Sequence, residues 1–238
     1  MTFDRRRARL VVMTMWSAFF VWLWVSGEMT RFLGPRTYWV VPFGAAALGV
    51  AALAGVATSR HAPAADAGLG ARDAIGVVVM LVPMIAIAAV PGAQLGSLAA
   101  TNKASTGLLA TAGASLAVPS SGDGAVSFRD IYYANQSEEY ALKRGIGEGL
   151  EMELEGFVTR APDGESDSLQ LTRFYVSCCA ADAIPYSVTV ASRLEDGVDY
   201  EQDAWLKVDG VLTRSEEGFV VEAAGVENIP TPQDPYLY

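Results

Sequence analysis

The residues that carry most protein chemistry are scarce in this sequence. Its 238 residues include one histidine, His61, and two cysteines, Cys178 and Cys179. No set of nucleophile, base and orienting group can therefore be assembled around a histidine. The chain also contains no GxGxxG segment before a helix, no phosphate-binding P-loop, no CxxC and no HExxH. The sequence thus predicts no catalytic residue, and an enzyme is the least supported class of function.

Charge is missing from three long stretches of the N-terminal half. Each stretch is apolar and long enough to cross a hydrocarbon core about 30 Å thick. A single run of this kind is compatible with a buried core helix, but three in succession indicate a membrane protein. The predicted transmembrane helices are residues 10–27, 37–59 and 74–95.

A cleaved signal peptide is the alternative for the first run, because four arginines before residue 10 resemble its basic n-region. The run is, however, too long and too rich in tryptophan, and no small-x-small cleavage site follows it cleanly. We therefore expect a retained helix. Small residues between Gly44 and Ala51 in the second run would permit close contact with another helix.

Acidic residues are few before residue 93 and abundant after it. The first part has eight Lys and Arg against four acids, a net charge of +4, and the remainder has nine against 23, a net charge of −14. A basic, apolar N-terminal part followed by an acidic C-terminal part predicts a membrane anchor that carries a water-soluble domain. A net-acidic domain repels phosphate backbones, which argues against a nucleic acid partner.

Basic residues near the spans predict the orientation in a bacterial plasma membrane. The N-terminal tail and the second loop together carry six basic residues, and the first loop and the segment after the third span carry three. The N-terminus is therefore expected in the cytoplasm, and the C-terminal domain on the extracytoplasmic side.

The sequence divides into a transmembrane region at 1–103, a linker at 104–127 and a β domain at 128–238. Residues 128–142 read as a short helix whose apolar stripe covers one end of the domain. From Glu151 onward the hydrophobic pattern has period two, with the glutamates on a solvated face. Five short strands, beginning near Glu151, Ser168, Tyr186, Asp203 and Phe219, predict a small all-β barrel of OB type.

Adjacent cysteines follow the predicted second strand, which runs from Ser168 to Cys178, and Asp182 comes three residues after Cys179. Neighbouring strand residues point to opposite faces, so both thiols can ligate one ion with Asp182 only where the strand ends. Three interpretations stay open: packing as small hydrophobes, a strained disulfide between neighbours, and a transition metal site, for example for zinc. His61 reads as a solvated loop residue.

Four segments resemble the YcgQ-like family of predicted permease subunits, which have a C-terminal domain of unknown function. They are Gly34–Tyr38, Leu95–Lys103, Arg173–Asp182 with its Cys-Cys-Ala-Ala-Asp-Ala sequence, and Pro232–Tyr238. One departure is that similar proteins often carry histidines or a cysteine between the second and third spans, where this chain has only His61.

The resemblance implies an accessory subunit of a polytopic permease encoded beside it, and it leaves the transported substrate open. The alternative is a membrane-anchored metal- or thiol-binding protein that acts by itself through Cys178, Cys179 and Asp182. In both cases the lipid bilayer is a partner and no catalytic residue is expected.

Overall fold

The chain folds into two compact units, Met1–Gln94 and Leu95–Tyr238. The computed structural model describes residues 5–59, 70–89, 94–103, 126–159, 168–192, 200–216 and 218–238. Residues 104–125 of the predicted linker lie outside these ranges, as does His61.

Three apolar helices make up the first unit. They are α1 (Arg5–Ser26), α2 (Val40–Ser59) and α3 (Ala71–Ala89), with two short 3₁₀ helices, Glu28–Arg31 and Pro35–Thr37, between α1 and α2. All three are long and apolar enough to cross a membrane, which confirms the prediction of three spans. Their shared core is small and centres on Phe19, Leu23 and Val41, so most of their apolar surface requires lipid or protein to cover it.

The helices alternate in direction. Arg6 Nη2 donates to Thr58 Oγ1 over 3.0 Å, which brings the start of α1 to the end of α2. Arg5 Nε donates to Asp73 Oδ2 over 2.7 Å, which brings it to the start of α3. The start of α1, the end of α2 and the start of α3 therefore lie at the same end of the bundle.

Small residues of α2 face α1 within the same chain. A Cβ added at Gly44 would lie 3.2 Å from the Phe20 ring, and one added at Gly49 would lie 3.3 Å from Ser17 Oγ. Ser17 Oγ also donates to the Ala45 carbonyl oxygen over 2.8 Å. The close helix contact that the sequence predicts is thus made by α1.

A closed five-stranded barrel forms the second unit and confirms the OB-like prediction. The strands are β1 (Glu151–Thr159), β2 (Ser168–Tyr175), β3 (Ile184–Ser192), β4 (Trp205–Ser215) and β5 (Gly218–Ile229), and β6 (Tyr236–Leu237) lies beside β2. Around the barrel the order is β1–β2–β3–β5–β4–β1, parallel between β3 and β5 and antiparallel elsewhere. The sequence did not predict β6, because a two-residue strand shows no alternation.

Alternating apolar residues fill the barrel. Leu154 and Val158 of β1 and Leu206 and Val208 of β4 are buried as their spacing predicts. One end is covered by two helices, α4 (Phe128–Gln136) and α5 (Glu138–Arg144), where the sequence predicted one. The break falls at Ser137, whose extended backbone ends α4 and whose hydroxyl caps α5.

Large side chains on the outside of the barrel form a second buried cluster. Phe157, Phe174 and Trp205 are each at most 3% exposed, although they have the opposite strand parity from the interior residues. Ala100 and Tyr236 cover them. Residues 97–103 are helical, so a segment that the sequence assigned to the transmembrane region packs here with the C-terminal tail.

Candidate functional site

The two cysteines lie in a tight loop between β2 and β3. The strand ends at Tyr175, three residues before the predicted end at Cys178. The Val176 amide then donates to the Leu237 carbonyl oxygen over 2.9 Å, and Ala180–Asp182 forms one 3₁₀ turn. Both cysteines lie after the end of β2. The alternation of side chains along a strand therefore does not apply to them, and the two thiols can lie on the same side of the chain.

Asp182 determines the shape of this loop. Its Oδ1 accepts from the Ser177 amide over 3.0 Å and its Oδ2 from the Cys178 amide over 2.8 Å. Its own amide donates to the Cys179 carbonyl oxygen over 3.0 Å. Partial burial works against the charged carboxylate, but the Cys178 thiol and these amides lower the pKa of Asp182. The carboxylate is therefore ionised and held in place.

The structure brings all three predicted site residues together. The Sγ atoms of Cys178 and Cys179 are 3.6 Å apart, well beyond a disulfide bond of about 2.0 Å. Two thiolates on one tetrahedral zinc ion, each about 2.3 Å from it, would lie about 3.8 Å apart. The two sulfurs and a carboxylate oxygen of Asp182 lie within 4.8 Å of one another. These three ligands would leave a fourth position open.

The thiol of Cys178 holds its proton firmly. Hydrogen bonds with Asp182 and then with Cys179 raise the pKa of Cys178 to about 12. Cys178 is exposed and Cys179 half-buried, so solvent and ions reach the pair. A soft metal ion would have to displace the proton in order to bind, which makes its affinity depend on pH.

Residues distant in sequence surround the cysteine loop. Lys103 Nζ donates to the Ala181 carbonyl oxygen over 2.8 Å. On β2, Arg173 Nη2 donates over 3.0 Å to the carbonyl oxygen of Asp234, which lies in the C-terminal tail. Three of the four segments that carry the resemblance, 95–103, 173–182 and 232–238, therefore meet at this loop. No local pattern identified Lys103 as its neighbour, because 78 residues separate the two groups.

A family model described as the DUF1980 C-terminal domain matches residues 113–238, which is more than half of the chain. This chain belongs to the DUF1980 family. The DUF1980 match covers the barrel and the cysteine loop, and it confirms the resemblance to the YcgQ-like proteins. Among curated proteins, none matches this chain.

Proposed function

We propose that this protein is an accessory subunit of a bacterial membrane permease. In this proposal α1, α2 and α3 dock on the transporter, and the barrel lies at its extracytoplasmic mouth. Membership of the DUF1980 family and the resemblance to permease subunits support the assignment. The structural observation that carries it is an uncovered apolar face on α3.

None of the side chains that the structure describes along α3 is buried. Ile75, Val78, Val79 and Val82 are each more than half exposed, and their spacing places them on one side of the helix. Met84, on the opposite side, packs against the core of the first unit. We call these four residues the α3 stripe.

The α3 stripe suits protein contact in a membrane. Its β-branched side chains have few rotamers to lose on docking, and van der Waals packing drives helix association where lipid is as apolar as the protein. Gly44, Ala45 and Gly49 of α2 already face α1. The α3 stripe is therefore the face that we assign to the permease.

Co-expression with the polytopic permease encoded beside the gene tests the proposal. We expect the two chains to co-migrate in detergent, and Val78→Trp combined with Val82→Trp to reduce the co-purified fraction by about tenfold. Val50→Trp with Leu53→Trp is the matched control, because both residues are exposed on α2. Failure of the unmodified chain to co-migrate would refute the subunit assignment. An equal loss from the α2 pair would refute the assignment of the face.

The cysteine loop favours a second candidate function, a membrane-anchored protein that binds a soft metal ion by itself. The 3.6 Å separation of the two sulfurs, beside a fixed carboxylate, is the observation behind it. Neither candidate assigns a catalytic residue.

Cobalt or zinc titration of the full chain in detergent tests the metal site. We expect thiolate-to-cobalt absorption bands that disappear in Cys178→Ser and in Cys179→Ser and persist in the neighbouring control Ser177→Ala. Hydrogen exchange of the barrel strands checks that the variants remain folded. Normal metal binding by both cysteine variants would exclude this candidate.

A further inference from the structure

A cavity of about 500 Å³ lies between the three helices, at the end of the bundle where α1 and α3 begin. Its inner wall is apolar and includes Ala8, Val12, Met13, Val77 and Met80. Trp16 Nε1 donates to the Met80 carbonyl oxygen over 3.2 Å and so ties α1 to α3 along this wall. The volume is within the range of about 300 to 1,000 Å³ that is typical of ligand pockets.

The rim of the cavity is cationic. It carries Arg5, Arg9 and Arg72, and Asp73 is the only acidic residue among the described ones that line it. Arg5 pairs with Asp73 over 2.7 Å. The guanidinium groups of Arg9 and Arg72 therefore supply two positive charges that no carboxylate among the described lining residues neutralises. Both arginines are exposed and can reach a ligand from the membrane surface.

This combination identifies the chemistry of the occupant. A free anion would use the arginines but leave the apolar wall without a contact, and an uncharged apolar molecule would leave the arginines without one. An anionic phospholipid satisfies both parts, and basic pockets between transmembrane helices are known sites for such headgroups. Guanidinium groups also match phosphate oxygens with paired hydrogen bonds.

We propose that this arginine-rimmed cavity binds one anionic phospholipid. Its phosphate lies between Arg9 and Arg72, and an acyl chain lies along the apolar wall formed by α1 and α3. The site lies wholly in the first unit and does not depend on the permease assignment. The lipid would link α1 to α3, which share few other polar contacts among the residues that the structure describes.

Native mass spectrometry of the full chain in detergent tests the site. The probes are phosphatidylglycerol and phosphatidylcholine with identical acyl chains. We expect one phosphatidylglycerol to be retained in preference to phosphatidylcholine. Arg9→Gln combined with Arg72→Gln should weaken retention by about fivefold for each arginine removed. Arg7→Gln with Arg36→Gln removes the same charge from exposed residues that do not line the cavity, and should leave retention unchanged.

Gly76→Leu tests whether the acyl chain occupies the cavity. Gly76 lines it, and no described neighbour lies within 4 Å of an added Cβ. The leucine would fill the cavity without changing the charge, and leucine favours a helix more than glycine does, so the bundle should remain folded. We expect retention to fall about as far as in the arginine pair. Equal retention of the two lipids, an equal effect of the control pair, or unchanged retention in Gly76→Leu would overturn the proposal.

Discussion

At the scale of single residues, Asp182 shapes the cysteine loop and also controls the chemistry of Cys178. Its carboxylate accepts from two successive amides, which turns the chain out of β2. The same carboxylate stabilises the protonated form of the neighbouring thiol. Geometry and reactivity at this site therefore depend on one side chain.

Replacing Asp182 by asparagine should make Cys178 more acidic. The pKa of the Cys178 thiol should fall from about 12 toward its ordinary value of 9.0, because Asp182 is the main cause of the shift. The rate of alkylation by iodoacetamide, measured against pH in a Cys179→Ser background, reports this pKa. Asp209→Asn, on the exposed surface of β4, should leave the profile unchanged. An unaltered profile in Asp182→Asn would show that the carboxylate does not hold the proton.

Asp130 is a buried carboxylate that joins α4 to α5. It accepts from Ser127 Oγ and from Tyr140 Oη, each over 2.6 Å, and it pairs with Arg144 at 3.3 Å. Burial alone would raise the pKa of Asp130, but the hydrogen bonds from Ser127 and Tyr140 and the charge of Arg144 lower it from 3.8. The ionised form therefore stabilises the folded state above about pH 4, and this contribution is lost as the pH falls through the lowered pKa.

Asp130→Asn should reduce the free energy of unfolding of the second unit by about 2 kcal/mol at neutral pH. The difference from the unmodified chain should begin to shrink below about pH 4, where Asp130 of the unfolded chain binds a proton, and should go on shrinking as the pH falls through the lowered pKa of Asp130 in the folded state. Hydrogen exchange of the barrel strands, followed by mass spectrometry on the full chain, measures both effects. Glu148→Gln, at an exposed residue, is the control. A difference that stays constant down to pH 2 would contradict the role of the charge.

At the scale of elements, a bulge between β4 and β5 depends on one glycine. The pairing shifts between Asp209 and Gly210, so that Asp209 lies opposite Gly225 and Gly210 opposite Ala223. A Cβ on Gly210 would lie 2.6 Å from the Glu222 carbonyl oxygen, which belongs to the backbone and cannot rotate away. The two longest strands of the barrel therefore approach each other more closely here than any other residue would allow.

Gly210→Ala should destabilise the second unit by about 2 kcal/mol, because the barrel must expand to admit the methyl group. Gly225→Ala is a matched control in the partner strand, since no neighbour lies within 4 Å of its added Cβ. We expect a change of less than about 0.5 kcal/mol there. Hydrogen exchange of the β4 and β5 amides measures both variants. Equal effects would show that close approach is not what selects glycine at residue 210.

At the scale of the whole molecule, the start of α1 and the start of α3 lie at one end of the bundle, and the second unit follows the third helix in sequence. The basic residues at the first end predict that it is cytoplasmic. The barrel and Cys178 are then expected on the extracytoplasmic side.

Thiol labelling of intact cells with a membrane-impermeant maleimide tests this orientation. Cys178 is exposed, so we expect it to be labelled without lysis, slowly at neutral pH because its raised pKa leaves little thiolate. In a chain with both cysteines replaced by serine, Arg7→Cys should be labelled only after lysis. The opposite pattern, with Cys178 reached only after lysis, would reverse the orientation. Labelling of Cys178 that appears only after reduction would show an oxidised pair on the expected side.

Much of the fold could be predicted because its signals are local. An uncharged run of about 20 residues is itself what a membrane span requires, so α1, α2 and α3 were found. Burial on one face of a strand leaves a period of two, so the five barrel strands were found near their true starts. Even the grouping of Cys178, Cys179 and Asp182 follows from their closeness in sequence.

By itself, the sequence determined the three apolar helices, the acidic OB-like barrel and the presence of two thiols beside a carboxylate. Only the tertiary structure decided that β2 ends before the cysteines, that Lys103 and the C-terminal tail meet at their loop, and that α1 packs against Gly44 and Gly49 of α2. These outcomes depend on contacts between residues far apart along the chain. Such contacts produce no periodic pattern in the sequence, because each one depends on the shape of another segment that is distant along the chain.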